Sequence, residues 1–88
     1  MHIAQERGVP MKGKLIGFNC FEGKKEGSGK WCNVYFALDM PEGGFGVRVE
    51  RFMCRPDVLP KLDKSIINQE FIISTRNNFL SDVYPLNN

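Results

Sequence analysis

Between Trp31 and Cys54 the chain reads WCNVYFALDM, PEGG, FGVRVERFMC: two ten-residue runs of alternating character joined by four residues of turn chemistry. Alternation with period two is the signature of a strand with one buried face. In the first run Cys32, Val34, Phe36 and Leu38 fall on one face, which suits a core. Trp31, Asn33, Tyr35, Ala37 and Asp39 fall on the other. In the second run Phe45, Val47 and Val49 face one way, and Gly46, Arg48, Glu50 and Phe52 the other. Pro41–Gly44 is a turn signal, and strands joined by so short a turn pair antiparallel. Such a hairpin needs further strands to cover its edges.

The rest of the chain supplies them. KGKLIGFNCF (Lys12–Phe21) is a long apolar strand whose two glycines permit a bend or bulge. QEFIISTR (Gln69–Arg76) is a fourth strand. Asn77–Asn78 is a tight-turn pair, because asparagine accepts positive φ. FLSDVYPLN (Phe79–Asn87) is the fifth strand, confined by Pro85 to an edge or an end. Arg55–Ser65 carries two prolines and reads as a loop, with at most one helical turn starting at Pro56 or Asp57. Residues 1–10 show no period and end in Pro10, so they read as a flexible tail. Met11 is a second candidate start of the protein. With 88 residues, the chain is one domain over residues 11–88. Five strands without a long helix make an all-β protein, closed as an OB-like or an SH3-like barrel. The long, glycine-bent first strand favours a five-stranded antiparallel OB-like barrel, with little or no helix between strands three and four.

Composition narrows the function. At 42% hydrophobic and 25% charged residues the chain is ordinary for a globular protein. It has no apolar run near the roughly 20 residues that span a bilayer, and no secretory h-region at its start. The expectation is a cytoplasmic protein without a membrane partner. Three cysteines, Cys20, Cys32 and Cys54, with no C-x-x-C pair argue against a disulfide framework or a structural zinc site. They read as reduced, mostly buried residues. The one histidine, His2, lies in the tail, so Ser-His and Cys-His pairs are excluded from the folded part. The carboxylates are scattered, with Asp39 and Glu42 at a turn. EGSGK lacks the spacing of a phosphate loop. The chain reads as a non-enzyme, with no cofactor, no metal and no small-molecule substrate.

The net charge of +2 is mild, but its placement is uneven. From Met11 to Trp31 there are five lysines (Lys12, Lys14, Lys24, Lys25, Lys30) against two acids (Glu22, Glu26). Three of those lysines lie in FEGKKEGSGKW, a loop that glycines 23, 27 and 29 keep mobile. Single strands of nucleic acid are held by cations that track phosphates and by rings on which bases stack. On the non-core side of strands two and three the alternation places Trp31, Asn33, Tyr35, Arg48, Glu50 and Phe52. Arg76, Asn77 and Phe79 extend the track at the last hairpin. Each has a plainer reading. Trp31 caps a barrel end, Tyr35 packs in a second small core or a dimer interface, and Phe52 and Phe79 belong to the core. Arg48 pairs with a neighbouring acid, and Lys24 and Lys25 are solvated hairpin charges.

The order of features is a lysine- and glycine-rich loop before an aromatic strand (GSGKWCNVYFAL), a VRVERF strand, and a proline-containing loop before a terminal hairpin. It resembles the small single-stranded-DNA-binding proteins of filamentous bacteriophages and related mobile elements. The resemblance implies an OB-fold homodimer that coats single-stranded DNA during replication or transfer. It puts Tyr35, Arg48 and the Lys24–Lys30 loop among the binding residues, and makes the hairpin around Asn77–Phe79 a projecting loop. RNA binding on the same surface is not separable by sequence. A rival expectation is an SH3- or OB-like protein-interaction module, an adaptor that uses Trp31, Tyr35 and Phe52 as an apolar patch.

Overall fold

Five strands form in the computed structural model, which describes residues 10–86. They are β1 (Met11–Glu22), β2 (Lys30–Asp39), β3 (Val47–Cys54), β4 (Glu70–Arg76) and β5 (Phe79–Pro85). The tail expected over residues 1–10 lies, apart from Pro10, outside the described residues, as does the question of the start at Met1. The strands close into a barrel in the order β1-β2-β3-β5-β4 and back to β1. This is the OB-like arrangement expected, with one correction. Four of the five pairings are antiparallel, but β3 meets β5 in parallel, at Met53 opposite Phe79.

β1 serves both halves of the barrel. Gly13–Glu22 pairs with β2, while Met11–Lys14 pairs with β4 on its other side. A bulge between Leu15 and Gly17 inserts Ile16 and bends the strand between those duties. Gly13 is required by close approach: a Cβ there would stand 2.9 Å from Leu38 Cδ2 and 3.1 Å from Phe36 Cδ1. The entry to β4 is pinned on the same bend, because Leu15 donates to the Gln69 carbonyl (3.0 Å) and Asn68 to the Leu15 carbonyl (2.6 Å). β4 in turn holds both ends of the barrel, with Ile73 opposite Met11 on one side and Val83 on the other.

The core follows the alternation of β2. Cys32, Val34, Phe36 and Leu38 are buried, and Leu15, Phe52, Cys54, Phe71, Ile73 and Leu80 complete the layer around them. In place of a helix between β3 and β4, the link carries two 3-10 turns. Pro56–Val58 has its proline in the first turn, as expected. Lys64–Ile66 is capped by Asp63, which accepts from the Ser65 N–H (2.8 Å) and the Ser65 hydroxyl. Those two bonds, the hydroxyl's first, hold the Asp63 carboxyl below the ordinary carboxylate range. The link buries Leu59 and Ile66 in the core. At the last turn, Asn77 (φ 52°) and Asn78 (φ 71°) adopt the left-handed backbone their type allows.

Two expectations fail. The first is the facing of β3. The hairpin turn occupies more residues than Pro41–Gly44, β3 begins at Val47, and Phe45 is 92% exposed. In the register with β2, Val34 stands opposite Phe52, Phe36 opposite Glu50 and Leu38 opposite Arg48. Arg48, Glu50 and Phe52 therefore share the core-facing row, and Phe52 is buried within it. The outer row of β3 is Val47, Val49, Arg51 and Met53. The second concerns the cysteines. Cys20 and Cys32 are opposite rungs of the β1–β2 ladder and form a disulfide, so they are not reduced. Cys54, opposite Cys32 on β3, is free and buried, as expected.

Candidate nucleic-acid interface

The outer surface of the β1-β2-β3 sheet is where rings and cations meet. Since Cys32, Val34 and Phe36 point inward, Trp31, Asn33 and Tyr35 of β2 point outward. The register places Phe21 beside Trp31 on β1, and Met53 beside Asn33 and Arg51 beside Tyr35 on β3. One rung beyond the Cys32–Cys54 pair, Arg55 leaves β3 opposite Trp31. Its guanidinium carbon lies 3.8 Å from the Trp31 ring centroid. At that distance over an aromatic face the cation is attracted to the ring quadrupole. Phe79, at the start of β5, completes the cluster with its centroid 5.9 Å from that of Trp31 and the rings inclined at 53°, a tilted contact within the favourable range. Phe79 is about half exposed and Trp31 half buried.

Arg55 also fastens the lysine loop. Its Nη1 donates to the carbonyl of Ser28 (2.6 Å) and to that of Lys30 (3.2 Å). The loop closes on itself as well, through Gly23 N–H to Gly29 O (2.7 Å) and Ser28 N–H to Lys25 O (2.9 Å). Gly27 (φ 84°) and Gly29 (φ 78°) supply the turn backbone this needs. The expected mobile finger is thus a hydrogen-bonded turn clasped at its base. Lys24, Lys25 and Lys30 are exposed around it, Lys30 standing opposite Glu22 in the ladder.

The structure divides the residues singled out from sequence. It brings Trp31 and Phe79 into contact and puts Tyr35 on the same outer face, with Lys24, Lys25 and Lys30 at one end. Arg76, exposed at the end of β4, is the ladder neighbour of Phe79. Two residues stand elsewhere. Phe52 is in the core, packed 6.3 Å from Phe36 between ring centroids. Arg48 lies at the far end of the hairpin, paired with Glu50 and donating from Nε to the Asp39 carbonyl (3.3 Å). Sequence reasoning missed Arg55, Arg51, Met53 and Phe21. The signal for Arg55 was available only through the strand register, because the residue lies past the strand, in a stretch read as a loop.

Among the described residues there is no group of three or more His, Cys, Asp or Glu side chains positioned to hold a metal, and no helix is long and apolar enough to cross a membrane. A depression of 460 Å³ lined by Lys14, Gln69, Glu70 and Pro85 lies on another part of the barrel. Compared with protein-family models, with curated proteins and with solved structures, the chain matches none.

Proposed function

We propose that this protein binds single-stranded DNA, without catalysis, on the outer face of β1, β2 and β3, as a homodimer serving phage or mobile-element replication or transfer. One observation carries the reading: the Arg55 guanidinium stacked on Trp31 with Phe79 against it, beside a turn bearing three exposed lysines. A base stacks on the open side of Phe79 or on the outer plane of Arg55, and the lysines neutralise its phosphates. Tyr35 and Arg51, opposite each other across β2 and β3, continue the track along the sheet, in place of the Arg48 and Phe52 suggested by sequence. RNA offers the same rings and phosphates as DNA, so a competition experiment decides between them.

Disulfides persist in oxidising compartments and are rare in cytosolic proteins, so the Cys20–Cys32 bond weighs against the expected cytoplasmic location.

The test is a titration of fluorescein-labelled oligo-dT, about 20 nucleotides long, at low and moderate salt. Anisotropy and Trp31 fluorescence are followed together. The expected result is saturable binding with altered Trp31 emission, weakening steeply as salt displaces the lysine–phosphate contacts. Folded protein that leaves the anisotropy unchanged at low salt would overturn the reading. It would favour the adaptor alternative, for which the exposed Phe45, Val47 and Val49 offer an apolar contact.

A further inference from the structure

The two long edges of β3 are not equally used. Along one edge β3 pairs with β2 from Val47 to Cys54. Along the other it meets β5 at a single rung, Met53 opposite Phe79, where the Met53 N–H donates to the Asn78 carbonyl (3.0 Å). Because the strands run parallel from that rung, β5 continues beyond Cys54 while the first half of β3 extends the other way, past the start of β5. Successive residues of a strand direct their backbone groups to alternate edges. If Met53 is aimed at β5, then Arg51, Val49 and Val47 present their N–H and C=O groups on the same edge, where no strand among the described residues adds a ladder rung. Val47 (58% exposed) and Val49 (55% exposed) are also uncovered on the outer face of that segment. A bare edge with β-branched residues is a template for another strand.

We infer that this edge is a homodimer interface in which the Val47–Arg51 segments of two copies pair antiparallel about a twofold axis at Val49. The reasoning begins with charge. Pairing centred on Val49 puts Val49 opposite itself, Val47 opposite Arg51 of the second copy, and Arg48 opposite Glu50 of the second copy. Val49 and the two Val47–Arg51 pairs then occupy hydrogen-bonded positions, which exchange backbone bonds in both directions. The Arg48–Glu50 pairs occupy the close, non-hydrogen-bonded positions, where side chains interact most. Each Arg48 already pairs with its own Glu50, so the dimer assembles a ring of four alternating charges.

The neighbouring registers are disfavoured by the same residues. Moving the axis to Arg48 sets Arg48 against Arg48; moving it to Glu50 sets Glu50 against Glu50. Like charges directly opposite are destabilising. Of the registers centred on Arg48, Val49 and Glu50, each of which keeps the outer face outward, VRVER therefore selects the one at Val49. The Asn77–Asn78 turn, already bonded to Met53 two residues after Arg51, ends the shared ladder there. A second copy is favoured over an unrelated strand because this segment is complementary to itself, as a twofold interface must be.

The inference rests on the homodimer part of the reading above and is independent of its nucleic-acid part. The paired edges make one continuous sheet, β1-β2-β3 of each copy, with Tyr35 and Arg51 of both copies on a single outer surface.

Sedimentation velocity on the full chain without nucleic acid, from about 5 to 200 µM, supplies the test. The wild type should sediment as a dimer at the upper concentrations. Glu50→Arg, which sets Arg48 against arginine across the axis, should weaken dimerisation roughly tenfold or more. The double exchange Arg48→Glu with Glu50→Arg restores opposite charges at every rung and should restore the dimer. Val49→Lys, at a site exposed in the single chain, should yield a folded monomer by circular dichroism. A monomeric wild type at 200 µM overturns the inference. So does a wild-type dimer that Val49→Lys leaves intact, or a double exchange that dimerises no better than Glu50→Arg. None of these results depends on oligonucleotide binding, so failure here and failure of the DNA reading remain distinguishable.

Discussion

Arg55 fills several roles with one side chain. It stacks on Trp31, donates to two carbonyls of the lysine loop, and leaves a cationic plane facing solvent. Arg55→Ala should lower stability by about 1 kcal/mol, from the lost cation–π contact and hydrogen bonds. It should also speed amide exchange over residues 23–29, read by hydrogen-exchange mass spectrometry. Phe79 and Phe52 make a sharper contrast. Phe79→Ala should weaken oligo-dT binding by about 1–3 kcal/mol with little change in the urea midpoint. Phe52→Ala should destabilise by about 3–5 kcal/mol, since it empties a core site. A result in the reverse sense would restore the facing that the alternation of FGVRVERF first suggests. Cys54 makes a prediction of another kind. Burial, and then the charge of Asp57, push its thiol from 9.0 to about 11. The folded chain therefore keeps a proton that the unfolded chain gives up. The stability this contributes is whole below pH 9 and is lost as the pH rises through 11, an effect of roughly 2–3 kcal/mol. Urea titrations from pH 8 to 11 should show that extra alkaline loss in the wild type, and a shallower slope in Cys54→Val.

At the scale of elements, the β1–β2 hairpin is stapled just below its loop. The Cys20–Cys32 disulfide sits one rung from the Phe21–Trp31 pair, on the opposite face of the sheet. It closes a chain segment with a sequence separation of 12. Reducing it should lower stability by about 2–3 kcal/mol on loop-closure grounds. Urea melts with and without reductant measure this, and Cys54→Val shows that the effect does not depend on the third thiol. Composition could not reveal this bond. An odd cysteine count with no close pair says nothing about which residues face each other, and only the register brings positions 20 and 32 together. Register also explains the other failure. The strands of the hairpin were legible as strands, with β2 correctly faced, because their alternation is strong. Yet VRVERF has charged residues in its core-facing row and valines in its outer row. Arg48 and Glu50 tolerate their row because they stand at its outer end, paired with each other. The valines are exposed because they stand on the outer face of the barrel wall, away from the core. The closure of the barrel, the glycine-bent first strand and the asparagine turn were legible, since backbone requirements write themselves into residue type. The Trp31–Arg55 stack was not, because it joins a strand to a loop.

For the molecule as a whole, the barrel is closed by unequal contacts. The β1–β2, β2–β3 and β4–β5 ladders run long, whereas β3 and β5 share a single rung. Cooperative opening should start at that seam, so the amides of β5 near Phe79 should exchange before those of β2. A further consequence follows from β4, whose Ile73 stands opposite both Met11 and Val83. With neighbouring strands about 4.8 Å apart, the first and last strands of the barrel flank β4 at a separation of roughly 10 Å. A linker of a few residues spans that gap. The chain order can therefore be rearranged: joined across β4 and reopened in the Pro41–Gly46 turn, a permuted sequence would retain every ladder of the barrel while starting on β3 and ending on β2.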